Sequence, residues 1–395
     1  MSESGLNDLA EAARLADQLA DVLRDFARTG RLLDLTAGVS EANLDPAHGG
    51  TWQAHRRVPG ELLRSILLEP DLTPDPRGLQ IKGALVTGTL DLDHATLPCP
   101  LTVTYSHFAQ PVKICNTKIP ELNFSNNSLP SLRLDDARID GGVLLDGLTA
   151  TGAVRARGAQ ITGELRLRGA TLTNQGGDAL NLDRARINGS ASLGGLTATG
   201  KVSALGAQIT GQLDLQGATL TNEGGDALNG QRLTVGILNL QGAAVKGLDL
   251  TGAQIGDLVV DQHLLPKGLP GPLTASGWRV QDLHGVLRNN WRAACAWLMT
   301  APTFVAQPWH ELAQVYDRNG QPSDARHLRL RAARRTTQAA PRWSRPPRIA
   351  YSLLVGYGYY PLLAGAWLIG ALLTAWLITS THSAAFAPTK PVDAQ

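Results

Sequence analysis

The residue types that could do chemistry are scattered along this chain. Nine histidines, from His48 to His382, show no spacing that would set imidazoles beside further ligands on one face. Cys99, Cys115 and Cys295 are odd in number and far apart, which excludes a disulfide framework and a CxxC site and points to a reducing compartment. There is no serine elbow and no glycine-rich phosphate loop. The expectation is a protein with no catalytic residues, no metal and no cofactor.

Binding chemistry has more to offer. The loops Asn174-Gln175-Gly176-Gly177-Asp178 and Asn222-Glu223-Gly224-Gly225-Asp226 repeat the same polar groups 48 residues apart. Asn174, Asp178, Asn222 and Asp226 are therefore a candidate binding face, with plain turn chemistry the alternative. The loops carry too few acidic groups for a calcium cage. Between Ser323 and Gln338, a helix with Ala325, Leu328 and Ala332 on one stripe spreads arginines over the remaining arc. Arg326, Arg329, Arg334 and Arg335 are candidates for contact with anionic lipid headgroups. Ala366, Gly370 and Thr374 recur every four residues, a candidate self-association stripe that would make the working form a homo-oligomer. Arg133, Arg138, Arg155, Arg157, Arg166 and Arg168 interleave with Asp135, Asp136, Asp140 and Asp146, so a solvated mixed-charge face is expected rather than a nucleic-acid partner.

The elements that must position these groups follow from length and pattern. At 395 residues, 43% hydrophobic and 18% charged, the chain can bury several cores, which excludes disorder. From Ile114 every fifth residue is apolar through Ile119, Phe124, Leu129, Leu134, Ile139 and Leu144, and the rhythm returns from Val235 to Val260. A period of five fits neither helix nor plain strand, but it fits a chain that turns a corner every five residues around a thin core. The absence of any aromatic residue from 125 to 277 agrees with a narrow interior. Residues 147–182 and 195–230 match at 28 of 36 positions, an internal duplication in which Arg166 becomes Asp214 while Leu165 and Leu167 persist as Leu213 and Leu215. Two coils of about 24 residues would make each 48-residue unit, giving roughly eight coils.

With Leu-Asp-Leu-Thr-Gly-Ala-Gln-Ile at 248–255, the chain resembles pentapeptide-repeat proteins. That resemblance implies a mainly β fold, a right-handed quadrilateral β-solenoid; a triangular, bactofilin-like β-helix is the alternative. Val-Pro-Gly-Glu-Leu-Leu-Arg at 58–64, the Leu-Thr-Asn-x-Gly-Gly-Asp-Ala-Leu loops and Gly356-Tyr357-Gly358 are similar to a group of bacterial proteins often labelled membrane-associated oxidoreductase.

The expected organisation is an N-terminal helical cap over 1–78, the solenoid over 79–262, a basic helical region over 263–348, an interfacial segment and transmembrane helix over 349–380, and a tail over 381–395. Within the cap, Leu9, Ala13, Ala16, Ala20, Leu23 and Ala27 line one helical face that ends at Gly30, and Glu61 to Glu69 reads as a second helix. Trp309–Asn319 and Ser323–Gln338 read as a helical hairpin that resembles one tetratricopeptide unit. Ile349 to Thr389 carries no Asp, Glu, Lys or Arg, and Pro361 to Thr379 would span about 28 Å, close to a bilayer core. Tyr351, Tyr357, Tyr359 and Tyr360 sit where an interfacial belt would be. Nine arginines between Arg318 and Arg348 face one Lys390 beyond the span, which puts the N-terminus and solenoid in the cytoplasm of a single-pass bacterial inner-membrane protein. The expected function is a membrane-tethered scaffold presenting its solenoid to a protein partner. The alternatives are a nucleic-acid-related, DNA-mimic role and the oxidoreductase activity that the label implies.

Overall fold

The computed structural model describes residues 3–37, 44–260, 270–346, 348–349, 357 and 361–381; within them, side chains are described except at 3–15, 342 and 361–364. Two compact units divide the chain, Met1–Thr303 and Phe304–Gln395.

The first unit is a β-solenoid of about nine turns. Strands pair in parallel with their equivalents one turn away, and these pairings form four ladders, some of the longer strands, such as Thr171–Asn181, serving two of them. One ladder stacks Ile119, Ile139, Ile161, Ile187, Ile209, Val235, Ile255 and Val280 in register. Another stacks Val112, Leu132, Val154, Leu180, Val202, Leu228, Leu248 and Leu273. All of these are buried. Burial of one such side chain is worth about 1.5–3 kcal/mol, and each column repeats it at every turn.

Corners make this geometry possible. Tight turns place one residue in the left-handed region, as at Asp136 (φ 55°) and Gly158 (φ 68°), and the next residue, Ala137 or Ala159, turns into the core. Asn, Asp and Gly tolerate that backbone, which is why they punctuate the sequence here. At the other corners backbones nearly touch: a side chain at Gly163 would meet the Gly141 carbonyl at 2.7 Å, and the Gly163 N–H donates to that oxygen at 2.8 Å.

The fivefold reading holds from Val235 to Val260, where Val235, Leu240, Val245, Leu250, Ile255 and Val260 are all buried. It fails at Leu144. Gly141 and Gly142 advance the phase by one residue, so Val143 and Leu145 point inward while Leu144 is half-exposed, in register with Arg166. Nor are the coils equal. The steps Ile161 to Ile187 to Ile209 split the 48-residue unit into 26 and 22 residues, the longer coil containing the loop at 174–178.

The ladders also outrun their expected bounds. Leu32–Asp34 and Arg57–Pro59, inside the expected helical cap, are strands that pair with Leu79–Lys82 and Leu85–Thr87. At the other end Gly271–Thr274 and Arg279–Gly285 continue the stack past residue 262. Helices close both ends. Helix α1 (Glu3–Thr29) buries Ala20, Leu23 and Ala27, and Gly30 ends it at φ 59°. Ala16, expected on the same face, is exposed, and the side chains of Leu9 and Ala13 lie outside the described residues. Helix α2 (Gly60–Leu67) buries Leu63, Ile66 and Leu67. After the last strand come α3 (Val286–Asn289) and α4 (Trp291–Leu298), where the Asn290 side chain caps α4 and Trp297 meets Trp278 edge-on at 6.1 Å. Such covering protects strand edges that would otherwise pair with other chains.

The second unit contains α5 (Gln307–Arg318) and α6 (Pro322–Ala339), a helical hairpin in which Trp309, Leu312 and Tyr316 and, from the second helix, Ala325, Leu328 and Ala332 are buried. Burial pushes the Tyr316 phenol above its ordinary value. Helix α7 (Pro361–Thr381) is 21 residues long. Among the described residues, no helix is long and apolar enough to cross a membrane. The transmembrane helix expected over 349–380 is therefore not found among the described residues. Tyr351, Tyr359, Tyr360 and residues 382–395 lie outside the described residues.

Two neighbouring leucines separate the observed phase from the fivefold reading. Leu145→Asp buries a charge in the core and is expected to cost more than about 4 kcal/mol, while Leu144→Asp, facing water beside Arg166, should cost about 1 kcal/mol or less. Denaturant melts of the two variants check this order.

Candidate functional site

The loop strand Thr171–Asn181 pairs with Thr197–Ser203, first through Thr173 and Thr199, then, after a bulge, through Asp178 and Lys201. Residues 174–177 are the excess that the bulge expels from the ladder. Gly200 makes the close fit possible: at φ 124°, any side chain there would strike the Asn174 carbonyl oxygen at 2.4 Å. The loop is tied by its own polar groups. Asn174 Nδ2 donates to the Asp178 carbonyl at 2.8 Å, Asn181 Nδ2 donates to Asp178 Oδ2 at 2.7 Å, and Lys201 Nζ lies 2.9 Å from Asp178 Oδ1.

The second loop repeats the first bond, Asn222 Nδ2 to the Asp226 carbonyl at 3.0 Å, but not the electrostatics. Asp226 faces Asp249, whose Oδ2 accepts from Gln231 Nε2 at 2.6 Å. Burial first, and the Asp249 charge second, raise the Asp226 carboxyl above its ordinary value.

Between the loops lies a cleft of about 280 Å³, lined by Gln175, Gly176, Thr199, Gly200, Thr221, Asn222, Glu223 and Lys246. Its walls offer hydroxyls and amides, one ammonium and one carboxylate, a donor and acceptor set suited to holding a polar group. Of the four residues expected to form the binding face, only Asn222 lines the cleft. Asn174, Asp178 and Asp226 take part in the bonds that fasten the loops, and the positions that differ between copies, Gln175 and Glu223, line the cleft. Thr199, Thr221 and Lys246 escaped sequence reasoning because register, not spacing, brings them together. The available signal was Thr-Leu-Thr or Thr-Ala-Thr at 171–173, 197–199 and 219–221, which stacks threonines on successive turns.

The remaining candidates are placed as follows. Arg326 and Arg334 are exposed and Arg335 half-buried, whereas Arg329 forms an ion pair with Asp317 of the same hairpin, which removes much of its availability to lipid. Ala366, Gly370 and Thr374 are exposed on α7, and the Thr374 hydroxyl donates to the Gly370 carbonyl at 2.7 Å. On the solenoid, Arg155 lies 3.1 Å from Asp135, and Arg166 pairs with Asp146 of the preceding turn, so Arg166 is not the freely exchangeable surface residue that its replacement by Asp214 suggests. Cys99, Cys115 and Cys295 are buried and form no disulfide, and burial pushes the Cys99 and Cys115 thiols up. Compared with protein-family models, curated proteins and solved structures, the chain matches none.

The raised Asp226 carboxyl has a definite sign. Its ionised form is disfavoured in the fold, so the group favours folding at low pH and that contribution disappears as pH rises through its folded value. Asp226→Asn should therefore raise the melting temperature by a few degrees at pH 7 and give no gain at pH 3. Paired melts at the two pH values test the assignment.

Proposed function

We propose that this chain is a membrane-tethered, non-catalytic scaffold whose solenoid, of the right-handed quadrilateral pentapeptide type, offers the cleft at Thr199, Thr221, Asn222 and Lys246 to a protein partner in the cytoplasm. The observation that carries this reading is that the duplicated loops are fastened by their own hydrogen bonds, so that a polar group can be received without ordering the site. The four ladders favour the quadrilateral form over the triangular one.

Support for the tether comes from α7. Its described apolar side chains, Trp367, Leu368, Ile369, Leu372, Leu373, Trp376, Leu377 and Ile378, are exposed around the helix, and such a surface calls for cover. Lipid fits an exposed apolar helix preceded by nine arginines, with Arg326, Arg334 and Arg335 toward anionic headgroups and the N-terminal side cytoplasmic. The stripe of Ala366, Gly370 and Thr374 would let two such helices pack. The pairing of Arg155 with Asp135 and of Arg166 with Asp146 argues against both a phosphate-binding face and an acidic DNA mimic.

Photo-crosslinking in cells tests partner and tether together. A photoreactive residue at Glu223 should give a discrete protein adduct in the carbonate-resistant membrane fraction, weakened at least tenfold by Lys246→Glu. The same residue at Gln160, exposed on a different ladder, should not give that adduct. Equal adducts from both positions would overturn the cleft as the contact, and recovery of the chain in the soluble fraction would overturn the tether.

A further inference from the structure

The last two rungs of the solenoid hold a second cluster, on a different ladder from the cleft. Asp257 and Asp282 are partners in register in the strands Gln254–Val260 and Arg279–Gly285. His284 stands two residues beyond Asp282, on the same strand face. Leu258 and Leu283, between these positions, are fully buried, while the three polar side chains stay half-buried at the surface.

The distances are unusual for a network of ion pairs. His284 Nε2 lies 3.6 Å from Asp257 Oδ1 and 3.7 Å from Asp282 Oδ2, too long for hydrogen bonds. All three side chains can place one donor atom within 4.8 Å of the other two. Zinc bound to N and O ligands at about 2.1 Å has ligands roughly 3.4 Å apart along each tetrahedral edge. The two imidazole–carboxylate separations are close to that length. Two aspartates opposite each other in adjacent strands also repel, and Arg288 Nη1 donates to Asp282 Oδ2 at 2.9 Å. The Leu283 N–H donates to Asp282 Oδ1 at 2.8 Å, which holds that carboxylate in place as an outer-shell bond holds a metal ligand.

We propose that Asp257, Asp282 and His284 form a divalent transition-metal site, with zinc the metal its donors fit best. One imidazole and two carboxylates make a borderline-to-hard set, and the partial exposure of all three leaves a coordination position for water. Arg288 competes with the metal for Asp282. Because the ligands come from two successive turns, the bound ion clamps the final rungs of the ladder together, directly before the helices that close it.

Calorimetric titration of the untagged, full-length, chelator-stripped chain with zinc chloride tests the site, alongside thermal melts with and without zinc. One equivalent should bind and raise the melting temperature. His284→Ala and Asp257→Asn should each weaken binding at least tenfold and abolish the thermal gain, Arg288→Gln should tighten binding severalfold, and His55→Ala, at an exposed histidine elsewhere, should change nothing. Circular dichroism shows whether each variant is folded, and Asp257→Asn, nearly isosteric, serves if His284→Ala is not. Failure of the wild-type chain to take up zinc, or unchanged uptake by a folded Asp257→Asn variant, would overturn the proposal.

Discussion

A strand of two residues cannot hold itself to anything, yet most strands in the middle of this chain are that short. They persist because each turn is bonded to the turns on either side along four ladders at once: Leu134 N–H to the Arg155 carbonyl at 2.6 Å, Leu145 to Arg166 at 2.8 Å, Ala156 to Asn181 at 2.8 Å. This turn-to-turn register is the constraint on which everything else rests. It makes a residue's true neighbours those one turn away, some 20 to 26 positions distant in sequence, and it converts any repetition into a column. Isoleucines stack inside, threonines outside, and where two aspartates fall in register they stack as well.

The cleft is a product of the same register. An insertion in a solenoid has nowhere to go but outward, so the extra residues at 174–177 and 222–226 leave the ladder on one side and stand over consecutive portions of the stack. Duplication supplied two loops that share one fastening bond, and divergence altered what they present: Asp178 meets Lys201, while Asp226 meets Asp249 and Lys246 is turned to the cleft. The scaffold is conserved between copies in its leucines and corners, and the chemistry differs at the positions the scaffold leaves to water.

That division explains what could be read in advance. Core positions from Val235 to Val260 were legible because a corner every five residues leaves a strict rhythm, and the end of α1 at Gly30 was legible because a left-handed cap favours glycine. Leu144 was misplaced because a single extra residue at the Gly141-Gly142 corner shifts the rhythm without breaking the apolar run. The strands at Leu32–Asp34 and Arg57–Pro59 are too short to carry a period and are separated by irregular chain. The walls of the cleft, and the approach of His284 to Asp257, depend on coils of unequal length coming into register, which no fixed spacing reveals.

Hydrogen exchange resolved to single amides tests the central claim most directly. If the loops are carried by an unbroken ladder, the Leu182 and Ala204 amides, bonded across turns to Ser203 and Asn229 at 2.7 Å each, should exchange as slowly as Leu134, while residues 175–177 and 223–225 exchange orders of magnitude faster. Exchange of Leu182 and Ala204 on the time scale of the loops would contradict the account, because the cleft would then rest on rungs that open with it.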